Sequence, residues 1–232
     1  MRSMATNNIR TALTIAAVLA LAPLTAEATI SRAMEFDEKV GNAEAIVIGK
    51  VVSQESRWDA AHKRILTYST FEVEKTLKGQ QAARRTIVTP GGVVGTTAQE
   101  YVGVPQFAVG DEHVVFVRNT SAGPTVLYFD QGAYRVARAE RGERIVQPLV
   151  SSAVLVDTQR GIAVAPEHPR SLRDFEARVR TSHTRHQQLK VLEQKRRDRA
   201  ASFWGQIQDN KVLVTLALLG VLLALWQYFK RS

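Results

Sequence analysis

The chain has 232 residues, no cysteine, and 31 Lys/Arg against 22 Asp/Glu. The length suits one or two domains, and the missing thiols exclude disulfides, thiol catalysis and thiolate metal sites. Residues 29–165 hold 16 basic against 15 acidic residues, while residues 166–211 hold 11 against 6. This argues against nucleic acid as a partner, because such a domain carries its basic face on the fold itself.

Residues 1–28 read as an export signal. Arg2 and Arg10 form a basic start, residues 11–24 are apolar, and Ala26-Glu27-Ala28 is a small-residue cleavage site before Thr29. Cleaved or kept as an anchor, this segment sends residues 29–165 across a membrane as an extracytoplasmic β-domain. Residues 31–42 suggest a short helix ended by Gly41-Asn42.

A first strand is expected over 45–53, apolar on both faces at its start. A polar hairpin loop follows over 57–63. The next run, 65–79, alternates. Ile65, Thr67, Ser69, Phe71, Val73 and Leu77 share one face, and Tyr68, Thr70, Glu72, Glu74, Thr76 and Lys78 the other. Period-2 alternation rich in β-branched and aromatic residues predicts a long half-buried strand. Short strands follow at 86–89, 114–118 and 126–129. A hairpin is expected from 133–137 and 144–147 around Arg141-Gly142, with a strand or packed tail at 154–156. Residues 90–110, with five glycines and two prolines, read as one long irregular loop. The pattern predicts a mainly β fold, a small antiparallel OB-like barrel or, alternatively, a β-sandwich.

Residues 166–211 are expected to be a charged helical stalk. Ser171-Leu172-Arg173-Asp174 has the form of a capping box, and Leu172, Phe175 and Val179 share a helical face. Residues 212–229 are apolar apart from Thr215 and Gln227, and eleven of them are Val, Leu or Phe. Those eleven contribute about −3 to −6 kcal/mol on insertion. Eighteen helical residues rise about 27 Å, near the thickness of a hydrocarbon core. This predicts one transmembrane helix. Phe203, Trp204, Trp226 and Tyr228 fall at its two interfaces, and 230–232 form a cytoplasmic tail.

Several stretches resemble a group of uncharacterised exported bacterial proteins with a netrin-like, tissue-inhibitor-of-metalloproteinase-like OB-type barrel. They are Ala43-Glu44-Ala45-Ile46-Val47-Ile48-Gly49, Phe71-Glu72-Val73 with Leu77-Lys78-Gly79, and Pro90-Gly91-Gly92 with Gly95. Gly103-Val104-Pro105-Gln106-Phe107 with Gly110-Asp111-Glu112 completes the set. The resemblance covers roughly residues 35–138 and rests on turn and strand positions, so it implies a fold rather than an activity. The inhibitors of that superfamily chelate zinc through an N-terminal cysteine. This chain has none, and the mechanism does not carry over.

The best candidate surface is the glycine loop. Thr96, Thr97, Gln99, Glu100, Tyr101 and Phe107 offer donors, acceptors and aromatic faces to a ligand. Glu100, Asp111, Glu112 and His113 are the clustered titratable groups on which an enzyme would have to rely. His113 itself is expected to be a surface group at a sheet edge. His183 and His186 are spaced i,i+3 on the stalk but lack a neighbouring carboxylate. No zinc-protease, serine-hydrolase or phosphate-loop motif occurs, and the spacing in Gly91-Gly92-Val93-Val94-Gly95 is not that of a dinucleotide fingerprint. No cofactor, metal or catalytic residue is expected.

The sequence therefore suggests a non-enzymatic, single-pass binding or interaction module of the bacterial cytoplasmic (inner) membrane. Its domain faces the periplasm or exterior, and its partners are the lipid bilayer and a protein of the envelope. The alternatives are an accessory factor in envelope assembly or surface sorting, and an enzyme. Lys195, Arg196, Arg197, Arg199 and Lys211 before the span outnumber Lys230 and Arg231 after it, which by charge alone would put the stalk inside. The signal acts first, and large domains translocate largely regardless of charge.

Overall fold

The computed structural model describes residues 29–149, 153–209 and 211–231, with side chains throughout except at 203–214 and 231. The export signal expected at 1–28 lies outside the described residues. The strands are β1 (Ile30–Arg32), β2 (Ala45–Asp59), β3 (Arg64–Lys78), β4 (Arg84–Pro90), β5 (Gly92–Val94), β6 (Thr97–Gln99), β7 (Glu112–Thr120), β8 (Gly123–Val126), β9 (Ala133–Arg138), β10 (Arg144–Pro148), β11 (Val154–Asp157), β12 (Ile162–Ala163) and β13 (Arg170–Ser171). The helices are α1 (Phe36–Asn42), α2 (Leu172–Asp209) and α3 (Lys211–Arg231), and a 3-10 turn spans Phe129–Gly132.

Two units are formed. The smaller, from residues 29–33 and 153–165, is a three-stranded sheet in the order β1-β11-β12. β1 runs parallel to β11, and β11 antiparallel to β12. The turn after β11 is held by Asp157, whose Oδ1 accepts the N–H of Gln159 at 2.9 Å.

The larger unit, from residues 34–149 and 166–231, is built on an antiparallel sheet in the order β13-β10-β9-β7-β2-β3-β4, with β8 also paired to β7. The β2–β3 hairpin is longer than the sequence suggests. The expected loop at 57–63 shrinks to a turn after Asp59, whose Oδ1 accepts the N–H of Ala61 at 3.1 Å. Polar residues 54–59 remain in strand because β3 pairs with every one of them. The register between the two strands slips three times and leaves Val52, Glu74 and Leu77 without partners. These slips twist the hairpin and reset which face each side chain meets. Phe71 and Val73 thus face one core while Leu77 packs on the other.

The sheet curls strongly. β4 and β8 lie four strand positions apart, which in a flat sheet is about 19 Å. Nevertheless Thr125 of β8 donates its hydroxyl to the carbonyl of Val88 in β4 at 2.7 Å. No ladder joins these two strands, so the expected barrel does not close. β8 has only four residues, and Pro124 among them carries no N–H to donate. A sandwich does not describe the unit either, because helices rather than a second sheet cover the outer face of the central strands.

The central strands are buried on both sides. Ile46, Ile48, Val114 and Phe116 face outward onto α1 and the start of α2, where Phe36, Val40, Leu172, Phe175 and Val179 meet them. Ala45, Val47, Val51, Val115 and Val117 face into the curl with Phe71, Ile87, Phe107 and Val126. The expected face of 65–71 is confirmed: Ile65, Thr67, Ser69 and Phe71 are all buried.

The region expected to be one irregular loop, 90–110, contains the β5–β6 hairpin, which turns at Gly95 with φ +57°. Gly92 lies against the sheet, and a Cβ there would fall 2.3 Å from Thr67 Oγ1 and 2.4 Å from Ser56 Oγ. Ser171 caps α2, its hydroxyl accepting the Asp174 N–H at 3.1 Å. The first turns of α2 are docked rather than solvated, since Leu172, Phe175, Val179 and Ser182 are buried. From Leu189 to Leu192 the helix is exposed. The transmembrane helix expected at 212–229 falls on α3, whose described side chains, 215–230, are all exposed. Among the described residues no helix is long and apolar enough to cross a membrane, so the expected span is unsupported there.

Candidate functional site

The six residues of the expected binding surface do not converge. Thr96 and Thr97 stand exposed at the tip of the β5–β6 hairpin, and Glu100 is exposed just beyond it. Gln99 is engaged structurally, its Oε1 accepting the backbone N–H of Ile65 at 2.6 Å. Tyr101 lies against Gly91 with part of its ring in solvent. Phe107 belongs to the inner core and is 6% exposed. It meets Phe71 edge to face at 5.1 Å and the His113 ring at 4.9 Å.

The four clustered titratable residues separate in the same way. Glu112 binds the guanidinium of Arg144, which also forms a two-pronged pair with Glu74 at 2.6 and 2.7 Å. This fork raises Arg144 above its ordinary range and lowers the Glu74 carboxyl. Asp111 pairs with Arg135 at 2.6 Å. Glu100, exposed just after β6, takes part in neither pair. Only Asp111 and His113 approach one another, at 4.0 Å.

His113 is not the edge-strand surface group that the sequence suggests. Its strand lies inside the sheet, with Gly49 of β2 on one side and Arg135 of β9 on the other. Its ring points into the curl and has no exposure. Neither ring nitrogen makes a hydrogen bond. Burial lowers its pKa from 6.5 to about 4, an effect that Asp111 only partly opposes. At neutral pH it is an uncharged imidazole in an aromatic layer.

A second polar cluster lies on the outer face, and nothing in the sequence announces it. Lys39 of α1 is 4% exposed. Its ammonium donates to the Tyr134 hydroxyl at 2.5 Å and to Glu167 Oε1 at 2.7 Å. Tyr134 donates to the same carboxylate at 2.9 Å, and Arg178 of α2 reaches its other oxygen at 3.2 Å. Arg178 also stacks over the Phe36 ring at 3.9 Å. Burial pulls Lys39 below its ordinary pKa despite Glu167, and pushes Tyr134 well up. Burial pushes the Glu167 carboxyl up as well, but Lys39, Tyr134 and Arg178 together hold it below the usual range. The cluster joins residues 95 and 128 positions apart and acts as a clamp between α1, the sheet and the segment entering α2.

Among the described residues no three His, Asp or Glu side chains are arranged to hold a metal. His183 and His186 are directed apart. The His183 Nε2 meets the Gln187 side chain at 2.9 Å, while His186 packs on Gly41. Compared with family models, with curated proteins and with solved structures, the chain matches none.

Proposed function

We propose that this chain is an extracytoplasmic binding or interaction module anchored in the bacterial cytoplasmic membrane, with α3 as its anchor. The observation that carries the reading is the surface of α3. Leu216, Leu218, Leu219, Val221, Leu222, Leu223 and Leu225 are all at least half exposed or nearly so, on every side of the helix. A helix that is apolar all round normally lies in a protein core or in lipid. The apolar run at 212–229 and the signal-like residues 1–28 favour lipid. In this reading the basic residues late in α2 lie near anionic headgroups, each adding about 1 kcal/mol close to the surface. The resemblance to exported proteins with a netrin-like barrel belongs to the same proposal.

A binding role is favoured over catalysis because Glu112 and Asp111 are committed to arginines and His113 is sealed from solvent. The exposed tip with Thr96 and Thr97 is the face we assign to a protein of the envelope. Protease added to intact spheroplasts tests the topology. Digestion of the domain with survival of a tag placed after Ser232 is expected. A domain protected until lysis would overturn the reading. Loss of the residues beyond about 211, seen by intact mass, would favour an accessory factor that is itself processed.

A further inference from the structure

We infer that His113 is a proton-operated latch on the segment 101–110: neutral, its ring is the floor on which Phe107 rests, and protonated, it drives that segment off the curled sheet. The inference does not depend on what binds the neighbouring hairpin.

Buried polar side chains in proteins are nearly always hydrogen-bonded. Arg85 and Arg144 each leave one buried nitrogen unpaired but bond through others. His113 leaves both of its ring nitrogens buried and unpaired. A phenylalanine would serve the aromatic layer with Phe71 and Phe107 without that penalty. The imidazole is tolerated only while it is neutral, because a charge there is sealed from bulk solvent and its nearest carboxylate is already paired.

The surroundings confirm that no neighbour is free to neutralise it. Asp111, at 4.0 Å, is already paired with Arg135 of β9, whose own charge opposes protonation. β2 places Gly49 beside His113, β3 contributes the Phe71 ring, and the segment above contributes Phe107, none of which titrates. The remaining polar neighbour is the backbone of Tyr134. A protonated ring must therefore reach water, and some part of its enclosure must move.

The parts differ in how firmly they are held. β2, β3 and β9 are tied by strand ladders. Residues 101–109 belong to no strand. What ties them to the rest of the unit includes the Gln54 side chain to the Phe107 carbonyl at 3.2 Å, the Asp130 N–H to the Gly103 carbonyl at 2.8 Å and the Asp111 N–H to the Ala108 carbonyl at 3.1 Å, and none of these belongs to a ladder. Segments with few ladder bonds open at the lowest free energy. Displacing Phe107 uncovers the imidazole and leaves the sheet intact.

Hydrogen exchange on the full chain in detergent micelles tests this, with rates corrected for the intrinsic effect of pH. An imidazole near 6.5 when open and about 4 when closed raises the open fraction roughly seventyfold between about pH 7.5 and pH 4.5. Protection of the Val104, Asp111 and Asp130 amides, whose acceptors Tyr101, Ala108 and Gly103 lie in the segment, should fall by that factor while the Lys39 and Ala43 amides at α1 stay protected, and His113→Phe should hold the change within about threefold. Unchanged protection in the wild type, or an equal fall in H113F, would overturn the latch. If H113F does not fold, the wild-type His113 ring resonance decides. Its titration midpoint should coincide with the loss of protection. A ring that stays neutral while the segment opens would also overturn it.

Discussion

On the outer face of the sheet, Phe36, Phe116, Tyr134 and Phe175 pack ring against ring, and the cation drawn in among them, Lys39, meets both Tyr134 and Glu167. On the inner face, Phe71 and Phe107 pack in the same way around His113, whose nearest carboxylate, Asp111 at 4.0 Å, is already paired with Arg135. The two layers bury similar rings and differ in how they treat a buried base. One keeps it charged and supplies a carboxylate. The other keeps it neutral and supplies no free carboxylate. A charged buried group is secure only while its counter-ion stays, and a neutral one only while the pH stays high. The outer layer is therefore vulnerable to mutation of a partner, and the inner layer to acid.

The largest effects test whether both layers are cores. Phe116→Ala and Phe71→Ala should each cost about 3–5 kcal/mol in denaturant titrations at neutral pH. A cost below about 1 kcal/mol for Phe71→Ala would show that the inner layer does not hold the unit together.

Glu167→Ala isolates the outer strategy. It leaves the Lys39 charge with only a hydroxyl and should cost about 3 kcal/mol. Adding Lys39→Met removes the stranded charge and should recover most of the loss. If the double variant is no more stable than E167A, Glu167 stabilises the unit by some means other than pairing Lys39.

Acid isolates the inner strategy. The folded pKa of His113, about 4, lies below its unfolded value near 6.5, so between these limits the unfolded chain binds more protons. Stability then rises with pH across that window and is lost as pH falls from about 6.5 to 4. A shift of this size corresponds to about 3 kcal/mol. The difference between wild type and H113F, measured at several pH values, removes the background of titrating carboxylates. A difference that does not vary across the window would contradict the assignment.

The smallest effect concerns the seam where the curl stops short of a barrel. Thr125→Val removes the one hydroxyl bond to Val88 and should cost about 1 kcal/mol. A loss of several kcal/mol would mean that the seam, and not the packed inner rings, keeps the sheet curled.

Much of this architecture could be read from residue order. The alternation from Ile65 to Phe71 located a long strand and its buried face. Ser171 and Asp174 marked the start of α2, and Leu172, Phe175 and Val179 marked its docked stripe. The reading failed where the signal ceased to be local. Residues 57–59 looked like part of a loop because nothing in them shows that β3 would satisfy their backbone. Leu77 was placed with Phe71 by parity, but a register slip at Glu74 lies between them and Leu77 is itself the unpaired residue of another. Phe107 looked like a ligand-binding aromatic because a loop residue gives no sign of returning to the core.

What the sequence determined by itself was therefore periodic or terminal: strand alternation, helix caps, turn glycines and the apolar run at 212–229. These depend on neighbours within a few positions, where backbone geometry and side-chain spacing act directly. Only the tertiary structure decided that the sheet curls without closing, that Lys39 meets Glu167 across 128 residues, and that His113 is sealed beneath Phe107. Burial and pairing are properties of the enclosing surface. For His113 that surface comes from β2, β3, β9 and a returning segment, none of which its own flanking residues specify.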